Sequence, residues 1–183
     1  MVNFFIFLFF LVFNVNANNL PSDSIYNLDS NLLEYNGSKL KLSELKGKVQ
    51  VFSMIYTNCK TVCPIIINNM KLIEKMIPES ISNNVGFFLI SLDPERDDVD
   101  ILNIFFKEKN LNVNKWRLFK TTKEETLKIA LTTGIKYKKE KNNEYTHSNL
   151  ILVLDKNGVI KLYQQGLDKN YTNLIELIKK LSY

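Results

Sequence analysis

Apolar and polar positions alternate in short blocks along most of this chain, and residues 1–17 are the exception. Fourteen of those 17 residues are apolar, with an unbroken run over 4–13. Spanning a bilayer takes roughly 20 apolar residues, whereas 10–14 is the length of a signal-peptide core. Val15-Asn16-Ala17 resembles a small-x-small cleavage site. Residues 1–17 are therefore read as an export signal, cleaved or retained as a membrane anchor. The segment has no cysteine for lipidation and no Arg or Ser of a mitochondrial transit peptide. Residues 18–30 are polar, contain Pro21, and read as a linker from the membrane to a domain at 31–183.

Within that domain, Asn36-Gly37 between short apolar stretches predicts a hairpin over 32–42. Residues 48–56 (KVQVFSMIY) form a nearly continuous apolar run, as in a strand buried on both faces. Ile66, Met70, Ile73 and Ile77 then keep the spacing of one helical stripe, with Pro64 in the first turn, where a missing N–H is tolerated. Residues 85–92 repeat the buried-strand pattern. Asp97 is positioned to cap a helix running to about 108, with Asp100 in its first turn. A short strand at 116–119 precedes Thr121-x-x-Glu124, a capping box for a helix that Gly134 stops. Strands at 149–154 and 159–163 flank the hairpin signal Asn157-Gly158, and an amphipathic helix covers 173–181. This alternation predicts an α/β fold: a central mixed sheet with helices on both faces and an N-terminal hairpin.

Composition narrows the function. The chain has 183 residues, enough for one compact domain. Apolar residues make up 45% and charged residues 23%, which excludes disordered and collagen-like chains. Two cysteines and one histidine are too few for a disulfide scaffold, a four-cysteine zinc site or a three-histidine centre. Net charge is +5, densest at Lys136, Lys138, Lys139 and Lys141. This reads as a solvated surface or a dock for an acidic partner; nucleic-acid binding would want a basic face interleaved with stacking aromatics, in a compartment that holds nucleic acid, and is not expected.

The chemistry gathers at strand ends. Cys59 and Cys63, spaced C-x3-C and followed by Pro64, lie past the carboxyl end of a buried strand and at a helix start. That spacing brings both sulfurs to one side of the first turn, and the helix N-terminus favours thiolates. Thiolates attack disulfides and bind soft metals, and a plain stabilising disulfide is the alternative. The single histidine, His147, precedes a central strand and can return to the same rim. Two thiolates and an imidazole make a soft three-ligand set suited to Cu(I), with Cu(II) or zinc accommodated by an added ligand. Asp93 and Asp97, in Asp93-Pro94-Glu95-Arg96-Asp97, follow the second buried strand. They read either as turn and cap residues or as carboxylates that orient a ligand loop.

Tyr56-Thr57-Asn58-Cys59-x-x-x-Cys63-Pro64, then Ser91-Leu92-Asp93-Pro94-Glu95-Arg96-Asp97, then Thr146-His147-Ser148 ahead of Leu154-Asp155-Lys156-Asn157-Gly158, resemble the Sco/SenC family of copper chaperones. Leu42-x-x-Leu45-x-Gly47-Lys48, Trp116-Arg117-Leu118 and Tyr163-x-x-Gly166 agree, and the match runs from about residue 26 to the end. The resemblance implies a thioredoxin-like fold tethered by an N-terminal segment, in the bacterial periplasm. It implies copper held by Cys59, Cys63 and His147. It implies as client the dinuclear copper site of cytochrome c oxidase subunit II, or another cupro-protein, served by copper delivery or thiol reduction rather than by an enzyme's turnover. Asn58 stands where the family usually has His or a similar polar residue.

The rival reading is a thiol–disulfide oxidoreductase using Cys59 and Cys63. Such enzymes resemble one another in C-x2-C spacing and carry a cis-proline opposite the dithiol, whereas this chain has no proline after Pro94. A peroxiredoxin-type peroxidase would have Thr three residues before its reactive cysteine, where this chain has Tyr56.

Overall fold

The computed structural model describes residues 20–141 and 144–183. The leader at 1–17 lies outside the described residues. Among those described, no helix is long and apolar enough to cross a membrane.

The elements are β1 (Asn31–Glu34), β2 (Lys39–Lys41), β3 (Val49–Ile55), α1 (Val62–Met76), β4 (Val85–Ser91), α2 (Val99–Glu108), β5 (Trp116–Lys120), α3 (Lys123–Thr132), β6 (Tyr137–Lys139), β7 (Tyr145–His147), β8 (Leu150–Leu154), β9 (Ile160–Gln165) and α4 (Thr172–Ser182). Seven strands form one sheet in the order β2-β1-β5-β4-β3-β8-β9. β3, β4 and β5 run parallel, while β1 and β8 join antiparallel. The sheet is thus mixed, with a thioredoxin-like α/β arrangement as expected. β3 and β4 are buried at every position, so both faces are covered.

Two right-handed crossovers in the same direction put α1 and α2 on one face. They lie side by side there, and Lys71 Nζ donates to the Lys109 carbonyl at 3.0 Å. Ile66, Met70 and Ile73 bury the predicted stripe of α1. Gln50 is, with Ser53, one of two buried polar residues inside β3. Its amide donates to the Leu45 carbonyl, and Gly86 directly opposite leaves the room: a Cβ there would lie 2.5 Å from Gln50 Oε1.

Four expectations shift. The cap of α2 is Asp98, which accepts from Ile101 N at 2.8 Å, and not Asp97. Either of two adjacent aspartates satisfies a cap. Tertiary contacts draw Asp97 inward and leave Asp98 at the helix end. The capping box of α3 is Thr122 with Glu125, one residue later than Thr121 with Glu124. Thr121 is buried and donates its hydroxyl to the Asn31 carbonyl, so the exposed Thr122 caps.

The linker reading of 18–30 fails from Ser24 onward. Ser24 bridges to Val159, Ile25 N donates to the Gly158 carbonyl, and Ile25 and Tyr26 are buried. The segment's average polarity hid two apolar residues that seal the end of the β8–β9 hairpin. Finally, the residues ahead of His147, where the sequence pattern marks no element, hold two strands. β6 and β7 form a separate antiparallel ribbon, with Tyr137 opposite His147.

Candidate metal centre

The carboxyl end of β3 turns sharply at Tyr56, where Cys59 N donates to the Tyr56 carbonyl, and the chain then enters α1. The residue before α1, Thr61, supplies no side-chain cap. The Cys59 sulfur does so instead: Cys63 N–H points at Cys59 Sγ across 3.4 Å. C-x3-C spacing therefore places one cysteine as the acceptor for the helix start and the other inside its first turn. Both are buried free thiols.

The third member comes from the ribbon. His147 Nε2 lies 3.7 Å from Cys63 Sγ. The ligand atoms of Cys59, Cys63 and His147 all fall within 4.8 Å of one another. Ligands bound about 2.0–2.3 Å from one metal ion sit at most roughly 4.6 Å apart, so this triangle is close to metal-sized. His147 Nδ1 is 3.0 Å from the Ser148 carbonyl. A hydrogen bond there keeps the proton on Nδ1 and turns the Nε2 lone pair toward the sulfurs.

The two thiols share one proton. A hydrogen bond from Cys63 holds the Cys59 thiol far below the usual range, against the opposing effect of burial. The same bond, together with burial, pushes Cys63 far up. Cys59 is thus the thiolate and Cys63 its donor.

Asp93 and Asp97 touch none of the three ligand atoms, but both reach the segments that carry them. Asp97 accepts from Thr57 N at 3.1 Å, from Thr57 Oγ1 at 2.5 Å and from Ser91 Oγ at 2.5 Å. Burial raises its carboxyl above the ordinary value, and the bonds from Ser91 and Thr57 oppose that rise. Asp93 is fully buried, pairs with Arg96, and accepts from the hydroxyl of Tyr145 at 3.2 Å, two residues from His147.

Sequence reasoning assigned no role to Tyr56, Glu144 or Tyr145. Tyr56 Oη donates to Glu144 at 2.7 Å, and Asn58 Nδ2 donates to the same carboxylate at 3.3 Å. The Tyr56 ring stands edge-on to His147 at 6.1 Å and tilted to Tyr145 at 5.3 Å. The readable signal was Tyr145-x-His147, a two-residue spacing that puts both rings on one face of a strand. The basic cluster is on the same ribbon, where Lys139 pairs with Glu95 and Lys138 with Glu140. A cleft of about 340 Å³ lined by Lys136, Tyr137, Lys138, Thr146, His147 and Ser148 opens the histidine to the surface. A larger cavity, about 870 Å³ between residues 27–33 and the start of α3, includes none of the three candidate ligands.

The sequence profile of SCO1/SenC matches residues 21–182. The chain belongs to the SCO1/SenC family. A SCO1 protein homolog of Bacillus subtilis is 25% identical over 150 residues, covering 80% of this chain and 77% of that protein. A SCO1/SenC family lipoprotein from Bacillus anthracis superposes with a TM-score of 0.76 at 26% identity, over 85% of this chain and 97% of that one. The copper-bound ScoI of Arabidopsis thaliana shares the fold, with a TM-score of 0.70 at 22% identity over 82% of this chain and 94% of that one. In this SCO1/SenC chain, the profile match takes in Cys59, Cys63 and His147, and the fold is the one these relatives share.

Proposed function

We propose that this SCO1/SenC protein is a copper metallochaperone whose cargo is held by Cys59, Cys63 and His147. The observation that carries the reading is the triangle of two sulfurs and one imidazole nitrogen within 4.8 Å, at the rim of the domain. Two thiolates and a neutral imidazole form a soft set that suits Cu(I) and also accepts Cu(II). Copper is the metal held by the Arabidopsis thaliana relative of the same fold. The apolar run at residues 4–13 supports an export signal, retained as a membrane tether or cleaved, and with it a location in the bacterial periplasm. The client is the dinuclear copper site of cytochrome c oxidase subunit II or another cupro-protein, whose thiolates enter at the rim and replace the three ligands one at a time.

The shared proton of the cysteine pair favours a second task at the same site. The Cys59 thiolate attacks a disulfide of the client, forming a mixed disulfide and releasing one client thiolate. Cys63 passes its proton to the released client thiolate and, as a thiolate, attacks the Cys59 sulfur, closing a Cys59–Cys63 disulfide and releasing the second client thiolate. Two electrons pass from the pair to the client, and the metal site is lost with them.

An anaerobic Cu(I) titration of the reduced 183-residue chain in detergent, against a competing chelator, tests the reading. One equivalent should bind tightly, be lost in Cys59→Ser and Cys63→Ser, and be weakened in His147→Ala. Binding no tighter than that of the single-cysteine variants would overturn it and promote the thiol–disulfide oxidoreductase.

A further inference from the structure

The ribbon that carries His147 is not part of the main sheet. β6 pairs with β7, and both lie outside the seven-stranded order. Sheet hydrogen bonding alone therefore does not fix where the histidine stands relative to the cysteines. β8, which starts three residues after His147 and pairs with β3, anchors one end of the ribbon, and side chains across the gap hold the rest.

We propose that Glu144 is the positioning residue for His147: its carboxylate clasps the histidine ribbon to the cysteine loop and so sets the geometry of the metal triangle. This inference rests on the metal-site reading above. Glu144 directly precedes β7. One carboxylate oxygen accepts from Tyr56 Oη at 2.7 Å and the other from Asn58 Nδ2 at 3.3 Å. Tyr56 continues the fully buried β3 and is itself buried, so it is a rigid post. Asn58 is the neighbour of Cys59. The same carboxylate thus touches the residue beside one ligand and lies three residues before another.

Two further contacts close the clasp. Tyr145 N–H points at Tyr56 Oη across 3.4 Å, and Tyr145 Oη donates to buried Asp93. Strand alternation then puts Tyr145 and His147 on one face, where both rings meet the ring of Tyr56. A neutral amide cannot replace this carboxylate fully. Glutamine keeps an acceptor for Tyr56 but turns an N–H toward the amide of Asn58. Groups that orient a metal ligand typically change metal affinity about 10–100-fold.

The test is a double-mutant cycle on Cu(I) affinity in the reduced 183-residue chain, with Glu144→Ala, His147→Ala and both together. Glu144→Ala should weaken binding about tenfold in the wild-type background and not at all in the His147→Ala background, because it acts only through the histidine. Glu144→Gln should recover part of the loss, and Tyr56→Phe should show part of it. In the metal-free protein, the proton NMR contact between the Tyr56 and His147 rings should be present in wild type and lost in Glu144→Ala. Equal losses in both backgrounds, or a retained ring contact with wild-type affinity, would overturn the clasp. Should Glu144→Ala fail to fold, Glu144→Gln and Tyr56→Phe carry the same cycle. Absence of copper binding in the wild type would sink the metal reading alone, and the ring contact would still decide the clasp.

Discussion

The Asp97 carboxylate accepts hydrogen bonds from both the backbone N–H and the hydroxyl of Thr57, two residues before Cys59. A residue that sequence patterning places at a helix cap is thus an anchor for the cysteine loop. Asp97→Ala should cost about 1–3 kcal/mol, because the donors of Thr57 and Ser91 are left without their acceptor. Urea midpoints measure this. Burial also raises the Asp97 carboxyl. The native state then holds this proton more tightly than the unfolded chain does. The stability it contributes is full below the unfolded value near 4 and lost as pH rises through the raised native value. Asp97→Asn removes that loss, so the stability difference between wild type and Asp97→Asn should shift in favour of the variant from pH 4 to pH 7. Parallel pH curves for the two proteins would contradict this.

The unequal thiols give a second prediction. With Cys59 as the thiolate, iodoacetamide at pH 6 should label Cys59 in the reduced, metal-free protein at least about tenfold faster than Cys63. Cys63→Ala removes the first cause of the low Cys59 value and should slow labelling of Cys59. Peptide mass spectrometry after timed quenching reads each site, and equal rates at the two cysteines would contradict the shared-proton arrangement.

What could be read from sequence divides along physical lines. β3 and β4 announce themselves as unbroken apolar runs because they are buried on both faces. Asn36-Gly37 and Asn157-Gly158 announce hairpins because the turns need positive φ, found at Gly37 and Gly158. The convergence of Cys59, Cys63 and His147 was foreseeable because they are the chain's two cysteines and one histidine. The β6–β7 ribbon was not legible. It is three residues per strand, lysine-rich and half exposed, so it has no apolar period to detect. The choice of Asp98 over Asp97 was not legible either, since contacts with Thr57 and Ser91 decide it across distant parts of the chain. Glu144 belongs to the same class: its partners are 86 and 88 residues away in sequence.

Glu34 and Arg117 supply a prediction about the sheet. Glu34 is buried at the end of β1, and Arg117 of β5 meets it through both Nε and Nη2. Removing one partner of a buried pair leaves a charge without compensation and typically costs about 3–5 kcal/mol. Arg117 is more than a third open to solvent, which screens the pair, so Arg117→Ala should cost closer to about 2 kcal/mol. Replacing both residues together, as Glu34→Leu with Arg117→Met, should cost less than Arg117→Ala alone. Denaturant unfolding of the wild type and the two variants checks the order. A double variant that is the least stable of them would show that the pair itself, not the avoidance of a lone buried charge, holds β1 to β5.

Gly158 tests whether the segment before β1 belongs to the fold. Its φ is +81°, and a Cβ there would lie 2.5 Å from the ring of Tyr26. Two penalties therefore coincide in Gly158→Ala. The left-handed backbone costs about 1–2 kcal/mol for a residue with a side chain. Overpacking against a buried ring adds about 1–3 kcal/mol. Tyr26→Ala should also destabilise, because it empties the site beside the turn and removes one of the two hydrogen bonds that the Leu45 carbonyl accepts. The informative case is the pair. In Gly158→Ala with Tyr26→Ala the methyl meets no ring, so only the backbone penalty should remain, and the double variant should be more stable than the sum of the single losses predicts. Thermal unfolding of the four proteins measures this. Strict additivity would mean that Tyr26 does not rest on the turn and that residues 24–26 are peripheral to the domain.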